Sequence, residues 1–274
     1  MTLTAVDFDY LRKLVREQSA IVLEPGKEYL VEARLATLVR QEGLGSMQDL
    51  VAKLRSHHSG PLHTQVVEAM TTNETLFFRD PFVFEALRTA ALPELVERRR
   101  PERRLEIWSA ACSSGQEPYS VAMLLREHFP ELTGWRTSIL ATDLSTQMLA
   151  RAAEGRYSQL EVNRGLPATM LTKYFSRQGM HWQVGDELKR AIEFRPMNLD
   201  APWPTLPQMD VVLLRNVLIY FDMETKRRIV ANVRKVLRRD GYLFLGGAET
   251  LLNVDDAFER VTLGKAACYR LRRP

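Results

Sequence analysis

Two residue types that often identify a protein's chemistry, cysteine and histidine, are scarce in this sequence. Among 274 residues there are two cysteines, Cys112 and Cys268, and their wide separation gives neither a disulfide framework nor a zinc motif. The five histidines show no metal-ligand spacing either. We therefore expect no bound metal and a reducing, cytoplasmic environment.

Long hydrophobic runs are also absent. No apolar stretch approaches the roughly 20 residues that span a membrane, and the first residues, MTLTAVDFDYLRKLV, include acidic side chains and no signal-peptide core. We expect a chain that does not insert into membranes. Hydrophobic residues still make up 45% of the sequence, enough for a sizeable core in one large or two modest domains.

Charge is nearly balanced. The formal net charge of +4 permits an acidic partner without selecting one. The densest basic run, Arg98-Arg99-Arg100 followed by Arg103-Arg104, has no aromatic residues interleaved for stacking on single strands. It also follows a helical pattern, whose end favours cations. Nucleic-acid contact is one interpretation of this run, but we favour a solvated linker and expect no nucleic-acid partner.

The stretch around which the chain is organised has a single glycine in its loop. Residues 105–125 read as a short apolar strand, a turn of small residues that ends at Gly115, and an amphipathic helix. Such a turn lets backbone N–H groups and the helix N-terminus face a ligand. The dinucleotide fingerprint G-x-G-x-x-G is missing, which argues against NAD and leaves other adenosine ligands open.

A second strand and helix follow at once. Residues 138–142 read as a strand with Asp143 at its end, 28 residues after Gly115, and Ser145 is placed to cap the next helix. A carboxylate at the end of a second parallel strand is well placed to accept hydrogen bonds from ribose hydroxyls. The layout therefore predicts a nucleoside-binding site.

The rest of the chain divides into a helical and an α/β part. Residues 1–90 show helical periodicity only, so we predict a small N-terminal helical domain that ends in the start of a linker helix. Residues 91–274 contain further buried strands and a closing hairpin, which predicts an α/β sheet with helices on both faces. Within it, residues 174–196 read as a small β insertion.

Four blocks carry a family resemblance: TNETLFFR at 72–79, WSAACSSGQEPYS at 108–120, ATD at 141–143 and RNVLIYFD at 215–222. In these blocks, and in their order, the sequence resembles the CheR-type chemotaxis receptor methyltransferases. The resemblance implies a Rossmann-like fold that binds S-adenosylmethionine, with a small N-terminal all-helical domain and a small β insertion. It also implies methyl transfer to glutamate carboxylates of chemoreceptors for sensory adaptation, with S-adenosylhomocysteine as the other product.

The resemblance also assigns site residues. Those that it places at the cofactor are Asn73, Thr75, Arg79, Glu117, Asp143, Asn198, Leu199, Arg215 and Asn216. It makes Arg79 and Tyr220 the catalytic residues. Each has a plainer alternative: Arg79 could pair with Asp80 or Glu85, Asn73 and Thr75 could cap the next helix, and Tyr220 could be an ordinary core residue.

The remaining alternatives of this kind are local. Glu117 and Asp143 could simply stabilise helix N-termini, and Asn198-Leu199 could form an ordinary turn before Pro202. Arg215-Asn216 follows a buried strand, at the sheet edge where open α/β sheets bind ligands. No catalytic triad is needed, because a glutamate side chain ordinarily has a pKa of about 4.3 and an acceptor of this kind is already ionised at neutral pH.

Partners follow from the same resemblance. It implies contact with the cytoplasmic helices of a chemoreceptor, and we expect a monomer. Basic residues on the N-terminal helices could form a docking face or a solvated surface, the latter being favoured: Lys27, Arg34, Arg40, Lys53 and Arg55. The insertion segment 176–186 is short, so we expect no tethering receptor peptide.

Two other classes of function stay open. One keeps the fold and cofactor but methylates another protein or a nucleic acid. The strand end Arg215-Asn216-Val217-Leu218 disfavours amino methylation, which calls for an N/D-P-P-Y/F pattern. The other class is a non-catalytic module that binds S-adenosylmethionine, against which the joint presence of Arg79, Glu117, Asp143 and Tyr220 argues.

Overall fold

A computed structural model describes residues 3–272 and divides the chain into two compact units. The first comprises the chain up to Thr72 together with Tyr220–Thr225, and the second comprises Asn73–Ile219 together with the chain from Lys226. This division lies before the one at residues 90 and 91 that the sequence indicated. The reason is that Phe77, Val83 and Phe84 belong to the core of the second unit.

The first unit is built from four helices: α1 (Ala5–Ser19), α2 (Glu28–Gln41), α3 (Met47–Arg55) and α4 (Pro61–Met70). Side chains cap two of them, because Thr4 accepts from the N–H of Asp7 and Ser46 from the N–H of Asp49. Proline at the first position of α4 needs no hydrogen-bond partner for its nitrogen. Fully buried apolar side chains from all four helices form the core: Leu11, Val15, Val31, Leu35, Leu50, Leu54 and Val66.

Most of the basic residues on these helices have partners inside the unit. Arg34 donates to the Met70 carbonyl and to Thr72 Oγ1. Lys53 pairs with Glu42, and Arg55 pairs with Asp7. These residues therefore hold the helices and their connections together in addition to any role at the surface.

The second unit has seven strands in one mixed sheet: β1 (Arg104–Ala110), β2 (Arg136–Asp143), β6 (Ile192–Pro196), β7 (Met209–Leu214), β8 (Leu237–Leu245), β9 (Phe258–Leu263) and β10 (Ala266–Leu271). Their order is β6-β2-β1-β7-β8-β10-β9. The five strands from β6 to β8 are parallel, whereas β10 is antiparallel to both β8 and β9. The predicted closing hairpin thus forms the antiparallel edge of the sheet, and the predicted Rossmann-like α/β fold is confirmed.

Helices connect these strands. They are α5 (Pro81–Ala86), α6 (Leu92–Arg99), α7 (Gln116–His128), α8 (Thr146–Glu154), α9 (Gln159–Asn163), α10 (Ala168–Tyr174), α11 (Asp186–Lys189) and α12 (Met223–Val236). A π-helical turn, Leu87–Ala91, joins α5 to α6, and 3₁₀ turns lie at Pro130–Leu132 and Leu218–Tyr220. Among residues 3–272, no helix combines the length and the apolar composition needed to cross a membrane.

A smaller sheet sits beside the main one in the second unit. It contains β3 (Arg156–Ser158), β4 (Phe175–Gln178) and β5 (His181–Val184) in the order β3-β5-β4. The sequence assigned residues 174–196 to one insertion, which was wrong for its last part. Strand β6 instead pairs in parallel with β2 and forms an edge of the main sheet, because Ile139 to Asp143 lie in register with Ile192 to Pro196.

The basic run after α6 is only partly a solvated linker. Arg100 is exposed as expected, but the Arg99 side chain is 6% exposed and pairs with Asp210 and Asp240. Arg98 pairs with Glu94 and Asp240. The interpretation as a linker was wrong for Arg99, because two carboxylates distant in sequence meet it at the amino end of β7.

Candidate active site

The loop between β1 and α7 is held in an unusual backbone conformation. Ala111, Ser113 and Gly115 have positive φ angles of 57°, 51° and 92°. A Cβ on Gly115 would lie 2.8 Å from the Cβ of Ala152, so glycine is required there. The Tyr157 hydroxyl donates to the Ser114 carbonyl at 2.6 Å. The loop is therefore fixed tightly against α8 and β3.

Asp143, at the end of β2, is oriented by backbone groups. Its Oδ2 accepts from the N–H of Ser113 at 2.7 Å, and its Oδ1 accepts from the N–H of Ser145 at 2.9 Å. Ser145 caps α8, as the sequence predicted. The residue is 6% exposed. The carboxylate is thus held beside the loop that follows β1.

Glu117 and Arg215 form an ion pair in which the arginine is buried and the glutamate side chain is 12% exposed. Glu117 lies in the first turn of α7, accepts from Ser109 Oγ at 2.7 Å, and pairs with Arg215 Nη1 at 2.6 Å. The Arg215 side chain, directly after β7, is 1% exposed. The pair joins the carboxyl ends of β1 and β7, which are neighbouring parallel strands.

The segment that carries Arg79 is fixed by the same arginine. Arg215 Nη2 donates to the Arg79 carbonyl and to Asp80 Oδ2, both at 2.7 Å. Phe78 and Asp80 have positive φ angles of 49° and 57°, so this turn holds backbone strain. Phe78 N–H donates to Ser120 Oγ at 2.9 Å.

The Arg79 guanidinium itself is half-buried and donates to the Glu74 carbonyl at 2.9 Å. Neither of its two plainer interpretations describes this geometry. Asp80 pairs with Arg215, and Glu85 pairs with Arg88. Arg79 therefore lies in a turn with a strained backbone that Ser120 and Arg215 hold in place.

Asn73 and Thr75 precede this turn. The Asn73 carbonyl accepts from Ser113 Oγ at 2.9 Å, which joins this segment to the loop after β1. Helix α5 begins at Pro81 with Asp80 as its N-cap residue. Asn73 and Thr75 are too far upstream to cap it, so the capping alternative is wrong.

Asn198 and Leu199 form a turn after β6. Asn198 Oδ1 accepts from the N–H of Asp200 at 3.0 Å, and Leu199 is buried. Trp203 Nε1 donates to the Leu199 carbonyl, and its ring meets Trp108 edge-on with centroids 5.0 Å apart. The N–H of Met197, just before Asn198, bonds to the Asp143 carbonyl, which keeps this turn beside the end of β2.

Asn216 follows Arg215 with a positive φ of 58°. Its N–H donates to Glu249 Oε2 at 2.7 Å. Tyr220, the second predicted catalytic residue, ends the 3₁₀ turn and groups with the first compact unit. Its role stays a prediction, whereas the segments that carry the other predicted residues come together around the carboxyl ends of β1, β2, β6 and β7.

Sequence reasoning missed four residues of this cluster: Asp80, Ser109, Ser113 and Glu249. Ser109 and Ser113 were inside the stretch that the sequence singled out, so their hydroxyl and N–H groups could have been weighed. Glu249 also had a signal, because it follows a buried strand and the pair Gly246-Gly247. Asp80 had none, since its partner Arg215 is 135 residues away.

Comparison with known proteins assigns this arrangement. Residues 73–267 match the family described as CheR methyltransferase, SAM binding domain. The chain belongs to the CheR methyltransferase family. Residues 6–71 match a second description of this family, CheR methyltransferase, all-alpha domain.

Full-length relatives agree with this assignment. Chemotaxis protein methyltransferase 1 of Pseudomonas aeruginosa is 41% identical over 99% of this chain and 100% of its own. A chemotaxis protein methyltransferase of Pseudomonas putida is 40% identical over 97% of this chain and 98% of its own. One from Vibrio parahaemolyticus is 38% identical over 99% of each. The chain is thus an enzyme, an S-adenosylmethionine-dependent methyltransferase of the CheR family.

The residues present fit S-adenosylmethionine. Two carboxylates lie at this edge of the sheet, buried Asp143 after β2 and partly exposed Glu117 in the first turn of α7, and each of their oxygens can accept more than the one hydrogen bond described above. Acidic groups suit a ligand with hydroxyl and ammonium donors and a cationic sulfonium. Arg215 Nε is buried without a hydrogen-bond partner among residues 3–272, so the network retains one donor that the protein itself does not use.

The buried thiol in the loop offers no nucleophile. Burial raises the pKa of Cys112 well above its usual range, and the neighbouring carboxylates of Asp143 and Glu117 act in the same direction. In the part of the chain that the structure describes, no group of three or more His, Cys, Asp or Glu side chains is arranged to hold a metal ion. The site's chemistry is that of arginines, carboxylates and backbone amides.

Proposed function

We propose that this enzyme methylates glutamate side chains of chemoreceptors and so produces glutamate methyl esters for sensory adaptation. The observation that carries the proposal is the composition of the site. Arginines and carboxylates surround it, its cysteine is kept protonated, and none of the five histidines lies in its segments. Such a site offers no imidazole or thiolate as a base, and its carboxylates Asp143 and Glu117 are held by backbone N–H groups, Ser109 and Arg215. This suits an acceptor that is already ionised at neutral pH.

The donor end is assigned to the strand-end residues. When bound, S-adenosylmethionine supplies a methyl group activated by its sulfonium. In our proposal Asp143 accepts hydrogen bonds from the ribose hydroxyls, and Glu117 with Asn73 accepts from the amino-acid portion. Asn198 and Leu199 flank the adenine, and Arg215 with Asn216 closes the site from the β7 side. Thr75 adds a polar contact next to Arg79.

The acceptor end is assigned to Arg79 and Tyr220. A guanidinium can hold a carboxylate through paired N–H bonds, and a tyrosine hydroxyl can orient the attacking oxygen. Because the acceptor needs no deprotonation, the enzyme's task is to align the reacting groups and to desolvate the carboxylate in part. The anchored turn at residues 78–80 supports this assignment, since it fixes the Arg79 backbone on both sides.

The partner in this proposal is the cytoplasmic helical region of a chemoreceptor. The relatives' names as chemotaxis protein methyltransferases support it. We propose that the enzyme acts in the cytoplasm as a monomer, without nucleic acid and without a receptor tether. Three of the basic residues on the N-terminal helices make no ion pair among the described residues: Lys27, Arg34 and Arg40. Because Arg34 is held by the Met70 carbonyl and Thr72, Lys27 and Arg40 are the first candidates for docking.

The decisive experiment is a methyl-transfer assay with methyl-labelled S-adenosylmethionine and chemoreceptor cytoplasmic fragments, followed by mild alkali. We expect label on the receptor that alkali releases as volatile methanol, which is diagnostic of a carboxyl methyl ester. Alkali-stable label would contradict the proposal and indicate an N- or ether-linked product. Absence of label on every fragment, with S-adenosylmethionine binding proven by calorimetry, would contradict it in favour of another protein or a nucleic acid as the acceptor.

The role of Arg79 has its own test. Arg79→Ala should lower kcat by about 100-fold or more, because the acceptor loses its bidentate partner, while the melting temperature stays within about 2 °C. Arg88→Ala is the matched control, since Arg88 is a nearby, partly exposed arginine whose pair with Glu85 is screened by solvent. Equal turnover in the two variants would defeat the assignment.

A further inference from the structure

One carboxylate in the second unit collects three backbone N–H groups. Glu249 Oε2 accepts from the N–H of Asn216 at 2.7 Å and from the N–H of Gly246 at 2.7 Å. Its Oε1 accepts from the N–H of Ile219 at 3.3 Å. The side chain therefore joins the loop after β7 to the loop after β8 at two points on the first loop and one on the second.

Glycine makes this close approach possible. A Cβ on Gly246 would lie 2.5 Å from Asn216 Nδ2 and 2.8 Å from Asn216 N, so any side chain there would push the two loops apart. The carboxylate also gives a hydrogen-bond acceptor to the N–H of Asn216, a residue with left-handed backbone just beyond the end of β7.

The place of these bonds argues against a role in the core. Glu249 is half-buried and lines a cavity of about 770 Å³ that Asp80 also lines. Its two partners on the first loop, Asn216 and Ile219, come directly after Arg215 and directly before Tyr220. The bonds thus fix the backbone between a residue assigned to the cofactor end and a residue assigned to the acceptor end.

We propose that Glu249 is a positioning residue for methyl transfer, which sets the backbone of residues 216–219 and through it the residues on either side. This inference rests on the proposed function for its kinetic part and on the loop geometry for its structural part. It assigns Glu249 no contact with the reacting atoms.

Three variants test it. Glu249→Ala removes all three acceptors. Glu249→Gln keeps one oxygen, which can serve Asn216 and Gly246, but presents an NH₂ group to the N–H of Ile219. Asp256→Ala is the control, because Asp256 is an exposed carboxylate on the same cavity that makes no hydrogen bond or ion pair among the described residues.

The first readout is amide hydrogen exchange of the ligand-free enzyme, which does not depend on any acceptor. We expect amide exchange at residues 216–219 to accelerate at least tenfold in Glu249→Ala and by less in Glu249→Gln. Exchange rates in the strands of the sheet should stay unchanged. The second readout is kinetic. We expect kcat to fall about 100-fold in Glu249→Ala and about tenfold in Glu249→Gln, while the Kd for S-adenosylhomocysteine changes less than threefold.

Three results would overturn the proposal. Unchanged exchange at residues 216–219 would show that the bonds do not hold the loop. Faster exchange there with wild-type kcat would show that the loop's position does not matter. Faster exchange throughout the protein, with kcat falling equally in both variants, would show a purely structural role. If wild-type enzyme labels no receptor, the proposed function has failed, and the exchange result still judges the loop geometry.

Discussion

Two buried arginines stand at opposite ends of β7, and each meets two carboxylates. At the amino end, Arg99 Nε donates to Asp210 at 2.6 Å, while Nη1 and Nη2 donate to the two oxygens of Asp240 at 3.0 and 2.6 Å. Every nitrogen of this guanidinium is used. Asp210 lies within β7 and Asp240 within β8, so the pair of strands itself fixes the acceptors.

At the carboxyl end, Arg215 has a different set of partners. It contacts Glu117, Asp80 and the Arg79 carbonyl, all of which lie on the helix N-terminus or the turn near the site rather than on strands. Its Nε stays buried without a partner among residues 3–272. A closed network such as that of Arg99 stabilises one fold, whereas an incomplete one holds separate segments in place for a ligand.

The largest effect that this contrast predicts is the loss of stability on removal of Arg99. Arg99→Met should lower the free energy of unfolding by about 3 kcal/mol, because buried Asp210 would keep as its cation only Arg238, whose Nε lies 3.4 Å away without a hydrogen bond. The folded fraction should keep the wild-type Kd for S-adenosylhomocysteine. Denaturant unfolding and calorimetry measure the two quantities. Arg100→Met serves as the control, because this exposed neighbour pairs with Glu97 alone among residues 3–272. A large loss of affinity in Arg99→Met would contradict the division of roles.

Arg215→Met should show the opposite balance. Loss of this arginine releases the turn at residues 78–80 and leaves the Glu117 carboxylate without its cation. We therefore expect kcat/KM to fall about 100-fold, equivalent to about 2.7 kcal/mol. The cost in stability should be smaller than for Arg99, because Asp80 is 44% exposed and can be solvated. Arg195→Met, at the exposed end of β6, is the matched arginine control. If Arg215→Met lost more stability than Arg99→Met and kept the wild-type kcat/KM, the roles assigned to the two arginines would be wrong.

The strands and the positions of the site were predictable because their signals are local. Residues 105–125 carried the strand, loop and helix in one stretch, and Asp143 could be placed at a strand end from periodicity and the Ser145 cap alone. A buried parallel strand such as β7 reads as a continuous apolar run. These features depend on neighbouring residues, so the sequence displays them directly.

The two arginine networks were not predictable for the opposite reason. Arg99 was assigned to a linker because its neighbours in sequence are charged. Its ion-pair partners in the fold, Asp210 and Asp240, are more than 100 residues away. Strand β6 was placed in the insertion because its pairing with β2 is a contact distant in sequence. Charge pairing and strand order are decided by the whole fold, which a local pattern does not contain.

A smaller effect, on cofactor affinity, is expected from a substitution of Asp143 at the carboxyl end of β2. Asp143→Asn keeps the shape of the side chain but leaves one of the N–H groups of Ser113 and Ser145 facing an NH₂ group. We expect the Kd for S-adenosylhomocysteine to rise about tenfold, equivalent to about 1.4 kcal/mol, with a change in melting temperature of a few degrees at most. Calorimetric titration against Asp186→Asn, an exposed aspartate in the first turn of α11, checks this. Unaltered affinity would remove Asp143 from the cofactor site.

The smallest expected effect concerns pH and the closed network. The hydrogen bonds from Arg99 lower the pKa of Asp240 to about 2, below its unfolded value of about 3.9. A folded pKa below the unfolded one means that this contribution is fully present above about pH 4 and is lost as the pH falls through about 2.

Burial acts in the other direction on Asp210, whose pKa is raised, so the two carboxylates oppose each other and the net slope is modest. Melting temperatures between about pH 4 and pH 2 should therefore fall less steeply in Asp240→Asn than in the wild type, by a few degrees over the range. Equal slopes in Asp240→Asn and the wild type would mean that the closed network does not couple acid unfolding to Arg99.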